Sequence, residues 1–183
     1  GLTLFMTLLG AFQLLLSRYS NETDIVVGTP IANRQDIALE HLIGFFVNTL
    51  VLRSHCDETK SIKEYFQHIK AMTLDAYTHQ DVPFEQLVEH LNVERQLNRH
   101  PLFQVMFTLQ NATEVPLQLT DLTISPFIFH NGGQARFDLD IVVIEANGEL
   151  VLSFGYAQDL FEEKTIIQML KHYCHLLDRL TQQ

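Results

Sequence analysis

Tryptophan is absent from the 183 residues, cysteine occurs twice, and proline and glycine number only five and eight. Cys56 and Cys174 are too few for a disulfide framework and have no metal-ligand spacing, which points to a reducing, cytoplasmic setting. Basic charge is scarce: 12 Lys and Arg face 22 Asp and Glu, leaving a net charge of −10. With no basic cluster, nucleic acid is not an expected partner. Charged residues make up 19% of the chain, below the roughly 25% usual in soluble domains. Hydrophobic residues reach 46%, thirteen of them Phe, enough to build a core and to exclude a disordered chain. No GxGxxG or GxxxxGK[ST] phosphate loop and no GxSxG elbow is present. Repeats, low-complexity tracts and linkers are also missing.

The longest hydrophobic run, Leu2 to Leu16, carries no charge but stops at Ser17-Arg18, short of the about 20 apolar residues that a membrane span needs. It lacks the basic start and cleavage site of a signal peptide. A helix apolar nearly all round is expected to be buried on several sides. No membrane association follows from it.

Asp24–Gly28 reads as a short buried strand ended by Thr29-Pro30, and Phe45–Arg53 as a longer one rich in Val, Thr and Phe. Ile62, Phe66, Ile69, Met72 and Ala76 recur at helical spacing between Ser61 and Tyr77. A second helix begins near Pro83, with Phe84, Leu87, Val88 and Leu91 on its apolar face. In Phe103–Gln110, Phe103, Val105, Phe107 and Leu109 alternate with Gln104, Met106, Thr108 and Gln110, a strand with one face in a core. Phe137–Ile144 and Glu149–Tyr156 are strands joined by Asn147-Gly148, a strong hairpin signal. Asp159-Leu-Phe-Glu162 reads as a capping box for a last helix striped by Ile166, Leu170, Tyr173, Leu177 and Leu180. Together these make a mixed α/β unit in one piece.

Among the nine histidines, His172 and His175 lie three apart on the last helix, yet without further ligands they predict no metal site. His79 is the most base-like, with Asp81 placed to orient it; the competing reading has both residues organising the turn before the Pro83 helix.

Three segments stand together: Ile43-Gly-Phe-Phe-Val-Asn-Thr-Leu-Val-Leu-Arg53, His79-Gln-Asp-Val-Pro-Phe-Glu85 and Arg95-Gln-Leu-Asn-Arg-His-Pro-Leu102. In order and spacing they resemble the later core motifs of nonribosomal peptide synthetase condensation domains. Gly28–Arg34, Phe103–Asn111, Phe137-Asp-Leu139 and Asp159-Leu-Phe161 fit the same family, so the resemblance covers the chain. Gln96 and Asn98 depart from the Asp and Ser usual in the third motif. The residues that carry the resemblance include Gly44, Arg53, His79, Gln80, Asp81, Pro83, Arg99 and Pro101, expected to be structural.

The resemblance implies an α/β fold like chloramphenicol acetyltransferase, a two-layer mixed sheet with packed helices. Condensation domains have two such lobes around a tunnel. They join an acyl or peptidyl thioester on one peptidyl carrier protein to the amine of an aminoacyl acceptor on another, in secondary metabolite biosynthesis. The cofactor expectation is accordingly none bound directly, with substrates arriving on phosphopantetheine arms. The family signature, two adjacent histidines followed by Asp-Gly, belongs to the N-terminal lobe, and no two histidines are adjacent in this sequence. Residues 1–183 are therefore expected to be the C-terminal lobe, inactive alone, with no catalytic residue of its own and partners in the N-terminal lobe and neighbouring synthetase domains. The uncharged opening at Gly1 then reads as mid-domain, with a surface prone to self-association. Epimerisation-domain and non-catalytic carrier-binding lobes are the alternatives.

Strands of relatives flank the tunnel where Thr108, Gln110, Asn111 and Asp138 stand, making these four its candidate lining. Facing solvent on one-sided strands is the alternative. Asn48 either ties the structure together or contacts substrate, and Arg34 and Arg53 are expected in ion pairs. In the family a segment near 113–134 reaches across as a latch, and Leu122–Phe129 is expected to pair outside this chain.

Overall fold

The structure, a computed structural model, describes residues 1–39, 41–93, 99–110, 122, 135–146 and 148–182. Its centre is the uncharged opening segment, helix α1 (Leu4–Ser20), started by the Thr3 hydroxyl accepting from the Met6 amide at 3.2 Å. Leu8, Leu9, Ala11, Phe12 and Gln13 are at most 2% exposed, as a helix without a polar face requires. Among the described residues, no helix is long and apolar enough to cross a membrane.

Five strands form one mixed sheet in the order β2-β1-β3-β4-β5: β1 (Asp24–Ile31), β2 (Asn48–His55), β3 (Val105–Gln110), β4 (Leu139–Ala146) and β5 (Glu149–Tyr156). β1 runs antiparallel to β2, parallel to β3 at Gly28–Met106, and β3 is parallel to β4. β4 and β5 form the expected hairpin, closing at Ala146–Glu149, with Gly148 at φ 78°.

One face of this sheet carries the main core. Ile25, Val27, Leu50, Leu52, Phe107, Leu139, Ile141 and Val143 pack under α1, α2 (Ile62–Thr78) and α4 (Glu163–Thr181). Helix α2 has a complete capping box: Glu64 N–H donates to the Ser61 hydroxyl, and the Ser61 amide donates to Glu64 at 2.9 Å. Its buried side is Tyr65, Phe66, Ile69 and Thr73, turned slightly from the expected stripe, and Ile62 is exposed. The Tyr65 and Tyr173 hydroxyls donate to the α1 carbonyls of Gly10 and Leu8 at 3.0 and 2.9 Å, pinning both neighbouring helices to α1. Burial pushes both phenols up.

Strand β4 runs two residues later at each end than the expected Phe137–Ile144, and four further boundaries differ from the sequence reading. β1 continues through Pro30, which lies beyond the Gly28 contact with β3 and opposite Thr49 of β2. β2 starts at Asn48, and Ile43, Phe45 and Val47 before it are exposed. Asp159 caps no helix: amides of Leu160 and Phe161 bond the Ala157 carbonyl in a turn, and α4 starts after Glu162, whose side chain makes no cap bond. The fourth is Phe103. β3 begins two residues later, and the ring lies over Gly28 on the opposite face from Phe107. There it meets Phe84, His100 and Phe137 at centroid distances of 5.7, 4.4 and 5.6 Å. Val88 of the short helix α3 (Phe84–His90) is buried outside the main core. This aromatic group forms a second, smaller core that covers the β1–β2 half of the far face.

Candidate functional site

Of the candidate tunnel residues, alternation along β3 sends Thr108 and Gln110 to the far face of the sheet, opposite Phe107, and β4 sends Asp140 there, opposite Ile141. Thr108 is half-buried and pairs with Val142, while Gln110 is exposed at the end of β3. Asn111 lies outside the described residues. Asp138 stands apart: its amide donates to the Gln104 carbonyl at 2.9 Å, four residues from the Thr108 row, about 13 Å along a strand. It borders instead a cavity of about 390 Å³ at the start of β1, β3 and β4, with Leu16, Tyr19, Val26, Phe161 and Met169.

Asp140 is the residue that the sequence reading passed over. Strand alternation puts it on the face of Asp138, but its surroundings are invisible in one dimension. It is half-buried, its Oδ1 has no hydrogen-bond partner among the described residues, and burial pushes its carboxyl above the ordinary value while Arg136 pulls the other way. Carboxyls perturbed in this way gather at functional sites.

Asn48 opens β2 and uses its whole amide. Nδ2 donates to the carbonyls of Gln80 and Val82, both at 2.9 Å. Oδ1 accepts from the Thr49 and Phe84 amides at 2.9 and 3.1 Å. Pro83 is the N-cap of α3 and offers no side-chain acceptor, so Asn48 supplies the missing cap from another strand. Asn48 and Asp81 also border a hollow of about 210 Å³ with Asn33, Phe45, Phe84 and Glu85.

His79 caps the end of α2, its Nδ1 lying 2.9 Å from the Asp75 carbonyl and 3.0 Å from the Thr78 hydroxyl. Asp81 does not orient it, because the Asp81 carboxylate accepts from Gln35 Nε2 at 2.6 Å. Arg53 grips Asp24 through Nε and Nη2 at 2.8 and 2.6 Å and holds that carboxyl below its usual range. Arg34 makes no ion pair among the described residues. It donates to the Leu39 and Leu42 carbonyls and stacks 4.2 Å over Phe46, beside Gly44, where a Cβ would meet that ring at 2.9 Å.

In the third motif Arg99 is exposed, and the half-buried Pro101 offers its carbonyl to the Phe103 amide at 3.0 Å. Gln96 and Asn98 lie outside the described residues. So does the 113–134 excursion apart from Leu122, which is 66% exposed. His172 is engaged by the Tyr19 hydroxyl and Gln168 at 2.9 and 2.7 Å, and no metal-holding cluster occurs among the described residues.

Comparison with known proteins places this geometry. The family model described as Condensation domain matches residues 1–183. Gramicidin S synthase 2 of Brevibacillus brevis is 41% identical over 178 residues, covering 97% of this chain and 4% of that protein. A four-domain nonribosomal peptide synthetase bound to AMP and glycine superposes with a TM-score of 0.86 at 24% identity, over 98% of this chain and 15% of that one. The X-domain from teicoplanin biosynthesis, solved in complex with OxyB, gives a TM-score of 0.82 at 26% identity, over 100% of this chain and 40% of that one. The chain thus spans a small fraction of the synthetases and two fifths of a solved X-domain chain. With the family model matching all 183 residues, the chain belongs to the condensation-domain family.

Proposed function

We propose that residues 1–183 serve as the C-terminal lobe of a condensation domain that forms an amide bond between two carrier-bound substrates. In that reaction the acceptor amine attacks the donor thioester carbonyl. A C–N bond forms, the C–S bond breaks, and the amine proton ends on the departing phosphopantetheine thiol. No two histidines are adjacent in the sequence although the family model matches it throughout, and this observation carries the lobe assignment. A general base is worth typically 10²–10⁴-fold, and this lobe instead contributes the positioning of tethered substrates.

Asn48 keeps the 79–84 turn in shape, and Thr108, Gln110, Asn111 and Asp138 are the candidate tunnel lining. The exposed Ile37, Ile43 and Phe45 support an interface with the N-terminal lobe, and they also support self-association of the lobe alone. Free Cys56 and Cys174 support a cytoplasmic setting. The test is complementation. A lobe bearing His-His-x-x-x-Asp-Gly is added to this chain together with two loaded carriers. Peptide formation that needs both lobes is the expected result, and none with both present overturns the reading.

A second reading, a non-catalytic lobe that binds another protein, is favoured by the X-domain relative solved in complex with OxyB. In the same experiment it gives carrier binding without turnover.

A further inference from the structure

The strand registers place one residue from each strand in a single row across the far face: Val51, Gly28, Met106, Asp140 and Gly155. Phe103 covers Gly28, but the other end of the row is open. Gly155 is exposed, and a Cβ there would meet nothing closer than Asp140 itself, at 3.7 Å. In the same row the Asp140 Oδ1 is shielded from bulk water and has no hydrogen-bond partner among the described residues. An ionised carboxylate has only acceptor sites, so an unpaired one out of water costs free energy until a donor arrives. The next row adds the Thr108 hydroxyl and Ser153 on either side of Val142. No metal-holding group of His, Cys, Asp or Glu surrounds it among the described residues, and a charged N–H is the donor with which a lone carboxylate bonds most strongly.

We propose that Asp140 is a binding residue for a primary amine, its Oδ1 accepting from the amino group of a tethered aminoacyl acceptor that approaches over Gly155. The inference rests on the condensation reading and names the part of the lobe that receives the acceptor. Two probes test it: glycine joined to aminopantetheine as a stable amide, and the same molecule N-acetylated. Their binding to the folded chain is measured by NMR titration.

The free-amine probe is expected to bind about tenfold tighter than its acetylated partner. Asp140→Asn is expected to remove that preference. Gly155→Val is expected to remove it too, because the larger side chain fills the approach; a Cβ there meets no close neighbour, so this variant keeps the fold. Equal binding of both probes to the unaltered protein overturns the inference and leaves the condensation reading standing, as does a preference that survives both variants. Binding of neither probe overturns the inference, while peptide formation on complementation decides the condensation reading.

Discussion

The backbone amide of Phe84 donates to the side-chain oxygen of Asn48 at 3.1 Å, so a helix whose N-cap is proline is capped by a residue 36 positions earlier. The same amide group holds Gln80 and Val82 through its nitrogen. Asn48→Ala is expected to cost about 2 kcal/mol, the sum of a lost cap and carbonyls left without donors. Asn48→Asp keeps the cap acceptor but turns a carboxylate toward two carbonyls, and is expected to destabilise as well. Urea midpoints at constant slope measure both, and an unchanged midpoint for Asn48→Ala contradicts the capping role.

Gly28 has no room for a side chain beneath the Phe103 ring. Gly28→Ala is expected to cost about 2 kcal/mol by overpacking. Phe103→Ala alone is expected to cost about 3 kcal/mol or more through the cavity it leaves. The double variant is expected to cost clearly less than the two added together, since the small side chain at 103 admits the new methyl. Additivity within error counts against the contact.

Asp140 carries its own pH signature. Its folded carboxyl lies above the ordinary 3.8, so between the two values the folded state binds more protons than the unfolded. Stability therefore falls as pH rises from about the ordinary carboxylate value through the raised one, and stays lowered above it. Asp140→Asn lacks this loss. Its melting temperature relative to the parent is expected to rise from pH 4 to pH 7. A constant difference across that range sinks the assignment.

Arg53 and Asp24 form a two-pronged but exposed ion pair. Removing it with Arg53→Met is expected to change stability little at low salt and not at all near about 1 M salt, where the screening length is about 3 Å. A salt-independent loss points to packing of the side-chain stem instead.

Of the two cysteines, Cys174 is exposed on α4 and Cys56 is 4% exposed beside Tyr65. A thiol reagent is expected to modify Cys174 at once and Cys56 only on unfolding. Two fast thiols contradict the burial.

Much of this molecule was legible along the chain because it depends on near neighbours. The helical spacing of Ile62 to Ala76, the alternation of Val105–Leu109 and the Asn147-Gly148 hairpin are written within a few residues. The absence of charge from Leu2 to Leu16 already required a buried helix. The motifs of 43–53 and 79–85 marked the family. Three things were decided only in three dimensions. Phe103 crosses to the other face because Gly28, 75 positions away, leaves a place for its ring. Asn48 became a cap because the tertiary structure brings the start of β2 against the proline-opened α3. Asp140, level with Asp138 in the sequence pattern, has an Oδ1 without a donor among the described residues and pairs with the exposed Gly155, since burial and partnership come from the strands laid on either side. Periodicity is a property of the chain, whereas desolvation of a polar atom is a property of everything packed around it.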